Sequence, residues 1–186
     1  KDVTLIGVTG TNGKSSTAYF IFQLLKDAFL ISNVPLKNKN TYVTRNTTPY
    51  PVDFVHALRK AKERKKKYVI LEVSSIAIKE RRLNDLLFSI VVFTNLSEDH
   101  LDYHHTLEDY QKTKLDFFIE QPSIRFASLE MKEFSSLKEV PIYFVSPLTL
   151  DKKGKLTYLY RGKKLHFSHF PYYQGSNITL ALAVAE

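Results

Sequence analysis

Residues 3–16 read Val-Thr-Leu-Ile-Gly-Val-Thr-Gly-Thr-Asn-Gly-Lys-Ser-Ser, and they give the strongest indication of the chain's architecture. An apolar run leads into a glycine-rich turn that ends in Gly-Lys-Ser, and a helix-like pattern follows. Backbone N–H groups in such a turn form a nest for anions, which the positive end of the helix dipole strengthens. The stretch predicts a phosphate-binding loop in which Lys14 reaches the β/γ-phosphates of a nucleotide and the Ser15 hydroxyl binds Mg²⁺.

The predicted phosphate loop is a variant. The general spacing places a glycine where this chain has Val8, and the glycines present are Gly7, Gly10 and Gly13. A plainer interpretation is a strand–turn–helix corner in which glycines permit tight packing. The order of strand, loop, Lys-Ser and helix favours the phosphate loop.

Length and composition restrict the class of protein. A chain of 186 residues can bury a full core as one domain. We expect no membrane span, because the chain has no apolar run of about 18 residues. The absence of cysteine excludes disulfides and cysteine–zinc sites and, together with a nucleotide loop, favours the cytoplasm. Because the chain starts almost at a strand and ends in a helical pattern, we expect it to be a piece of a longer protein.

The net charge of +8 comes largely from residues 60–67, which read Lys-Ala-Lys-Glu-Arg-Lys-Lys-Lys. We interpret this run as the solvated end of a helix, where cations suit the helix dipole. The alternative is nucleic-acid binding, but no interleaved aromatic residues support it, and we expect no nucleic-acid partner. The positive surplus would also steer anionic nucleotides.

Apolar strand-like runs alternate with helical patterns, which predicts an α/β fold with a doubly wound, mostly parallel sheet. The predicted strands cover 3–6, 68–73, 89–94, 125–129 and 142–145, and the predicted helices cover 16–28, 51–61 and 106–118. The second helix is expected to bury Phe54, Val55, Leu58 and Ala61. Residues 31–42 are predicted to form a loop. Residues 156–167 alternate in part around Arg161-Gly162 and predict a small β-hairpin near the C-terminus.

Polar residues follow the predicted strands at the edge where such sheets bind ligands. Glu72 lies within a buried run, where a carboxylate is unfavourable unless a cation or a donor pairs with it. Glu72 near Ser15 could complete a divalent-metal site with oxygen ligands, to which His100 could add an imidazole. The alternatives are a structural salt bridge for Glu72 and a loop or capping role for His100.

The third predicted helix places a lysine in an apolar stripe. Leu107, Tyr110, Lys114 and Phe118 recur at helical spacing on one face. Burial pushes a lysine toward its neutral amine, which can take up CO₂ and become a carbamate able to bind or orient metal ions. The alternative is that the ammonium of Lys114 snorkels to the surface.

Together these motifs make the whole chain resemble the central ATP-binding domain of the Mur ligases, the amide-bond-forming enzymes of peptidoglycan precursor synthesis, and most of all the MurE type. The segments that carry the resemblance are Gly10–Ser15, Arg45-Asn46-Thr47-Thr48-Pro49, Leu71-Glu72-Val73-Ser74-Ser75, residues 93–104 and Gly175-Ser176-Asn177. Residues 99–104, which read Asp-His-Leu-Asp-Tyr-His, belong to the most specific of these matches. Lys114 falls on the lysine that is carbamylated in that family.

The resemblance implies an ATP-dependent ligase that adds an amino acid to UDP-N-acetylmuramoyl-L-alanyl-D-glutamate through an acyl phosphate, in cell-wall biogenesis and hence in cell shape and cell division. It implies ATP and two Mg²⁺ ions as cofactors. The implied nucleotide-binding residues are Gly10, Thr11, Asn12, Gly13, Lys14, Ser15, Ser16 and Asn177. The implied metal ligands are Ser15, Glu72, His100 and Lys114, and the catalytic residues are Lys14, Glu72, His100 and Lys114. The implied substrate-binding residues are Asn46, Thr47, Thr48, Ser74, Glu80 and Arg82.

By this resemblance residues 1–186 form the central domain. The expected partners are UDP-muramoyl peptide, an amino acid, and flanking UDP-binding and amino-acid-binding domains that the sequence does not contain. The fragment alone should therefore bind nucleotide without ligating. The chain departs from the MurE pattern at Ile76, Glu80, His105 and Leu180, where His, Gln, Gly and Asn are usual, and it is shorter over 27–41.

Two alternative functions stay open. One is a folylpolyglutamate-synthase-like ligase of the same fold, and the other is a nucleotide-binding module without catalysis. The segments at 46–49 and 99–104 favour the muramoyl class.

Overall fold

The computed structural model describes residues 3–83, 86–150, 155–160, 162–167, 171 and 174–186. The strands are β1 (Thr4–Thr9), β2 (Ala28–Ser32), β3 (Thr41–Val43), β4 (Tyr68–Glu72), β5 (Ile90–Phe93), β6 (Ile124–Ser128), β7 (Tyr143–Val145), β8 (Thr149–Leu150), β9 (Leu156–Tyr160) and β10 (Lys163–Phe167). The helices are α1 (Lys14–Leu24), α2 (Pro51–Glu63), α3 (Ser75–Lys79), α4 (Leu101–His104), α5 (Leu107–Glu120) and α6 (Gly175–Ala185), and two 3₁₀ helices cover Leu129–Glu133 and Ser135–Glu139.

A seven-stranded parallel sheet forms the centre of the fold and confirms the predicted doubly wound α/β class. Its strand order is β3-β2-β4-β1-β5-β6-β7, and every neighbouring pair is parallel. From β1 the chain forms β2 and β3 on one side of the sheet, returns with β4 between β2 and β1, and then crosses to the other side with β5. The loops that follow β1, β4 and β5 therefore meet at the switch point, where such sheets bind ligands.

Both faces of the sheet are covered by helices. One buried cluster joins strand residues such as Val69 and Phe93 to α2 and α5, and Phe93 meets Phe118 edge-on at 5.3 Å between ring centres. The other cluster joins Ile70 and further strand residues to α1 and α6, which pack against each other. Because both faces are dry, the strands read as continuous apolar runs.

Helix boundaries follow local capping chemistry. Pro51 occupies the first position of α2, where its missing N–H leaves no bond unmade. The Thr106 hydroxyl accepts a hydrogen bond from the Asp109 N–H, which confirms Thr106 as the N-cap of α5. The basic run lies at the exposed end of α2 and just beyond it, as its interpretation as a solvated helix end requires.

The structure corrects the prediction in three places. The first helix ends at Leu24, and Ala28 belongs to β2. The predicted loop over 31–42 contains the end of β2 and the start of β3, because Ala28–Ser32 is fully buried and pairs with β4 on one side and β3 on the other. Val55 and Leu107 are 46% and 38% exposed, so the core-facing stripes of α2 and α5 are narrower than predicted.

The predicted hairpin is confirmed as β9 and β10, an antiparallel pair to which β8 adds a third strand. Gly162 in its turn has φ +72°, while Arg161 lies outside the described residues. The hairpin packs through Leu156 and Leu165 against Ile178 and Leu182 of α6. Within the described part of the chain, every helix is too short or too polar to span a membrane.

Candidate active site

The loop between β1 and α1 requires glycine at two positions. Gly10 has φ +134° and Gly13 has φ +80°, both in the region that side chains disfavour. A Cβ at Gly10 would overlap the Thr94 hydroxyl, and one at Gly13 would overlap the Asn177 side-chain amide. The two glycines therefore permit tight packing, as expected for a strand–turn–helix corner. They also bring the backbone of the loop close to Thr94 and Asn177.

The segment after β5 holds this loop in place. The Thr11 N–H donates to the Asn95 carbonyl and the Asn12 N–H to the Asn95 side-chain oxygen, each at 2.9 Å. The Asn12 carbonyl accepts from the Thr94 hydroxyl at 2.6 Å and from the Asn95 amide at 3.0 Å. Two loops at the ends of neighbouring strands are therefore fixed against each other before any ligand binds.

Thr11 connects the loop to α5. Its hydroxyl donates to the Ser97 carbonyl at 3.1 Å and accepts from the Ser97 N–H at 3.0 Å. Because its one proton is used on Ser97, the Tyr110 hydroxyl is the donor in their 2.9 Å contact. Burial raises the pKa of Tyr110, which keeps the phenol protonated for this role. The sequence placed Tyr110 in an apolar stripe and gave no sign of this bond.

Lys14 lies folded over its own loop. Its ammonium donates to the Thr11 carbonyl at 2.6 Å and to the Gly10 carbonyl at 3.1 Å. Burial lowers the pKa of Lys14, and the negative charges of Glu72 and Asp99 oppose that shift. A cation held by neutral carbonyls at the start of α1, where the first N–H groups of the helix have no partner within the helix, is suited to binding phosphate.

Glu72 and Ser15 are brought together as predicted. The Ser15 hydroxyl donates to one carboxylate oxygen at 2.7 Å, and the Ser32 hydroxyl donates to the other at 3.3 Å. Burial raises the pKa of Glu72, and the hydrogen bond from Ser15 and the charge of Lys14 offset this only in part. Among the described residues Glu72 forms no ion pair, so the structural salt bridge is not found there. Ser32 was missed because β2 was read as helix and loop.

Lys114 is buried in the apolar stripe, only 1% exposed, so its side chain does not snorkel. Its ammonium donates to the Gly10 carbonyl at 2.6 Å, the same oxygen that Lys14 contacts, and lies 4.9 Å from the centre of the Tyr110 ring. Burial, and after it the charge of Lys14, lowers the pKa of Lys114 to about 7. A substantial fraction is therefore the neutral, nucleophilic amine near neutral pH.

His100 lies just before α4 in a left-handed conformation with φ +53°, and its exposed ring lies 3.6 Å from the Asp99 carboxylate. His100 holds the N-cap position of α4, but its side chain makes no capping hydrogen bond, and its ring approaches Tyr110. Within the described ranges no group of three or more His, Cys, Asp or Glu residues could hold a metal ion. Glu72 and Ser15 are thus the pair of predicted ligands that the structure joins directly.

The predicted substrate-binding residues Thr48, Ser74, Glu80 and Arg82 form one network. The Thr48 hydroxyl donates to the Glu72 carbonyl and accepts from the Ser74 N–H, each at 2.9 Å. The Ser74 hydroxyl caps α3 by accepting from Ala77. Arg82 donates to the Thr48 carbonyl at 3.0 Å. Asn46 and Thr47 precede this network and are half-buried.

Asn177, near the start of α6, brings that helix to the loop. Its side-chain oxygen accepts from the Thr17 hydroxyl at 3.2 Å, and its amide donates to Gln174 at 2.7 Å. Gln174 in turn donates to the Ser16 hydroxyl at 3.3 Å. The predicted nucleotide-binding residues therefore form one connected surface around the start of α1.

Comparisons with known proteins agree along the whole chain. A family model described as the Mur ligase middle domain matches residues 8–185. The chain is 35% identical over 181 residues to the UDP-N-acetylmuramoyl-L-alanyl-D-glutamate–2,6-diaminopimelate ligase of Parabacteroides distasonis, covering 91% of this chain and 35% of that protein. The chain spans about a quarter to a third of the length of the curated relatives it matches.

Solved structures share the fold. The structure of a UDP-N-acetylmuramoyl-L-alanyl-D-glutamate–2,6-diaminopimelate ligase superposes with a TM-score of 0.77 at 24% identity, over 100% of this chain and 43% of that chain. A structure described as an FPGS–AMPPCP complex has a TM-score of 0.65 at 18% identity, over 100% of this chain and 58% of that one. At these identities the superpositions show the fold alone.

Proposed function

The chain belongs to the Mur ligase family, and from this membership we propose that it is the central ATP-binding domain of a MurE-type ligase. The longer protein would add an amino acid to UDP-N-acetylmuramoyl-L-alanyl-D-glutamate in peptidoglycan precursor synthesis. The domain would work with a UDP-binding domain before it and an amino-acid-binding domain after it. We place the protein in the cytoplasm, where ATP and nucleotide-linked precursors are available.

One observation carries the nucleotide-binding part of the proposal: the glycine loop, Lys14 and the Ser15–Glu72 pair lie together at the switch point of the sheet. The loop offers N–H groups and a cation to phosphates. Glu72 fits a hard cation, because its buried carboxylate has only hydroxyl donors as direct partners in the described structure. Ser15 and Glu72 would hold Mg²⁺, which neutralises phosphate charge when bound.

The proposed reaction begins when a carboxylate oxygen of the peptide attacks the γ-phosphorus of ATP. The bond from that phosphorus to the β,γ-bridging oxygen breaks, which gives an acyl phosphate and ADP. The amine of the incoming amino acid then attacks the acyl carbon, releases phosphate and loses a proton to form the amide. In this scheme Lys14 stabilises the charge on the transferring phosphoryl group, and the loop positions it.

Lys114 is proposed to act as its carbamate. Its neutral amine would add to CO₂ and release one proton, leaving an anion within the apolar stripe that could orient a cation held by the site. His100, which is exposed just before α4, would supply an imidazole. The buried position and the lowered pKa of Lys114 support this role.

Titration calorimetry of this chain with ATP and Mg²⁺ tests the nucleotide site. We expect Lys14→Ala to weaken binding by about 1–3 kcal/mol, because a charge-assisted contact with phosphate is lost. Lys62→Ala removes an exposed charge from the end of α2 and serves as the matched control. Equal affinity in the wild type and in Lys14→Ala would remove the phosphate-loop assignment. Amide formation by this chain alone would contradict the proposed division into domains.

The alternative of a folylpolyglutamate-synthase-like ligase shares the fold, and the solved structures do not separate the two. The family match and the 35% identity favour the muramoyl ligase. Phosphate release by the longer protein, measured with UDP-muramoyl dipeptide and single amino acids, would distinguish them. Release with a folate and glutamate instead would support the alternative, and release with neither would support a non-catalytic module.

A further inference from the structure

Tyr50, Thr48, Glu80 and Arg82 form a cluster that we call the arginine clamp. In this clamp the positive charge of Arg82 is already paired with the carboxylate of Glu80. Arg82 Nε donates to Glu80 Oε2 at 2.6 Å, and Nη2 lies 2.6 Å from the same oxygen. Nη1 donates to the Thr48 carbonyl at 3.0 Å, and the guanidinium lies 4.1 Å from the centre of the Tyr50 ring. The guanidinium is therefore neutralised, stacked and largely satisfied by the protein itself.

The backbone supports this pairing. The Arg81 N–H donates to the Ile78 carbonyl and the Arg82 N–H to the Ala77 carbonyl, each at 3.0 Å, and Arg81 takes φ +54°. This is a Schellman ending of α3 with an arginine where glycine is preferred. The left-handed residue turns the chain so that the side chains on either side of it, Glu80 and Arg82, meet.

In the arginine clamp, the Glu80 side chain is more exposed to solvent than the Arg82 side chain. The Arg82 side chain is 9% exposed, whereas the Glu80 side chain is 35% exposed. Both contacts with Arg82 use Glu80 Oε2, so Oε1 can accept a hydrogen bond from a ligand. Arg82 has at most a second N–H of Nη1 to offer, since Nε and Nη2 are engaged.

A ligand carboxylate and a ligand carboxamide would interact very differently with the arginine clamp. A ligand carboxylate would face Glu80 and would have to break two short charge-assisted contacts to reach Arg82. A carboxamide has the same shape, but its NH₂ can donate to Glu80 while its oxygen accepts from Arg82. Its polarity matches the clamp without displacing either side chain.

We propose that Glu80 makes the arginine clamp selective for an uncharged carboxamide on the substrate in place of a carboxylate. The inference rests on the proposed function. A D-glutamate joined through its nitrogen has two carboxyl groups, of which one is activated and one remains. Within the proposed function, the dipeptide substrate is then the form whose remaining carboxyl group is amidated, which ends in D-isoglutamine, in place of the form that ends in D-glutamate.

The test follows the Arg82 Nε–H resonance of the ¹⁵N-labelled chain by NMR during titration with two probes. These are N-acetylmuramoyl-L-alanyl-D-isoglutamine and N-acetylmuramoyl-L-alanyl-D-glutamate. We expect the wild type to bind the carboxamide at least tenfold more tightly. Glu80→Gln should tighten carboxylate binding at least tenfold and abolish the preference. Glu139→Gln, the same charge change in the 3₁₀ helix that precedes the far edge strand β7, should leave the preference intact.

Equal binding of the two probes by the wild type, or an unchanged preference in Glu80→Gln, would overturn the proposal. Failure of the wild type to bind either probe would overturn it too. Titration of the same samples with Mg²⁺ and an ATP analogue distinguishes failure of this proposal from failure of the proposed function. If the chain binds the nucleotide but shows the wrong peptide preference, only the role of Glu80 is refuted. If it does not bind the nucleotide, both the role of Glu80 and the proposed function are refuted. If Glu80→Gln gives the spectrum of an unfolded chain, the salt dependence of the wild-type preference decides, because repulsion of a carboxylate must weaken as salt rises.

Discussion

Replacing Lys114 with methionine should stabilise this chain at mildly acidic pH. Lys114 is 1% exposed, and burial together with the charge of Lys14 lowers its pKa from 10.5 to about 7. Each pKa unit corresponds to about 1.4 kcal/mol, so the buried ammonium destabilises the fold by about 5 kcal/mol when fully charged. Methionine has a similar volume and no charge, but it loses the hydrogen bond to the Gly10 carbonyl, which is worth about 2 kcal/mol.

The pH dependence has a definite direction. Below pH 7 the amine is protonated in both the folded and the unfolded chain, and the folded state bears the full penalty. Between about 7 and 10.5 the unfolded chain binds the proton and the folded chain does not, so the free energy of unfolding of the wild type rises with pH through this window. Above 10.5 both states are neutral and the penalty is gone.

We therefore expect Lys114→Met to be more stable than the wild type by about 3 kcal/mol at pH 6, with the difference falling to about zero near pH 9. Urea unfolding followed by circular dichroism in CO₂-free buffers measures it, and other titrations cancel between the two proteins. Lys112→Met, on the exposed side of α5 and ion-paired with Asp116, should give no stabilisation. A Lys114→Met difference that is independent of pH, or a variant less stable at pH 6, would refute the buried-ammonium argument.

Two further substitutions test the backbone and the loop. Arg81→Gly should raise the free energy of unfolding by about 1 kcal/mol, because Arg81 has φ +54°. Arg64→Gly, at a helix cap with φ −87°, should lower the free energy of unfolding by about the same amount. Thermal unfolding of both variants measures these changes, and changes of the same sign would contradict the argument. Tyr110→Phe should lower stability by about 1 kcal/mol through loss of the bond to Thr11, whereas Tyr103→Phe, at a partly exposed ring, should change it little; denaturant titration tests this, and a neutral Tyr110→Phe would mean that the hydroxyl bond contributes nothing.

Features with a strong local signal could be predicted from the sequence. The glycine loop, the buried parallel strands and the N-cap at Thr106 follow from turn chemistry, continuous apolar runs and capping, all of which act over a few residues. The position of Lys114 in the apolar stripe of α5 could be predicted. Helical periodicity places Lys114 between Tyr110 and Phe118, and this does not depend on what the helix packs against. These are the parts of the fold where local and tertiary preferences agree.

The strand β2 could not be read locally. Ala28-Phe29-Leu30-Ile31 continues the apolar spacing of α1, and the break is a reversal at Asp27 with φ +64°, which no glycine marks. The run becomes a strand because it inserts between β3 and β4, a long-range pairing. The contacts of Ser32 with Glu72 and of Tyr110 with Thr11 were missed for the same reason, since they join residues 40 and 99 positions apart.

The variant spacing of the glycine loop has a physical explanation in the sheet. Val8, where the general pattern has a glycine, is a fully buried residue of β1 that pairs with Glu72 of β4, so the turn begins only after it. Gly10 then supplies the positive φ, the close approach to the segment after β5 and the carbonyl on which the ammonium groups of Lys14 and Lys114 converge. If the glycine stood at position 8 and a residue with a side chain at position 10, that side chain would overlap the Thr94 hydroxyl. The offset glycine is therefore the feature that joins the phosphate loop to the buried lysine of α5.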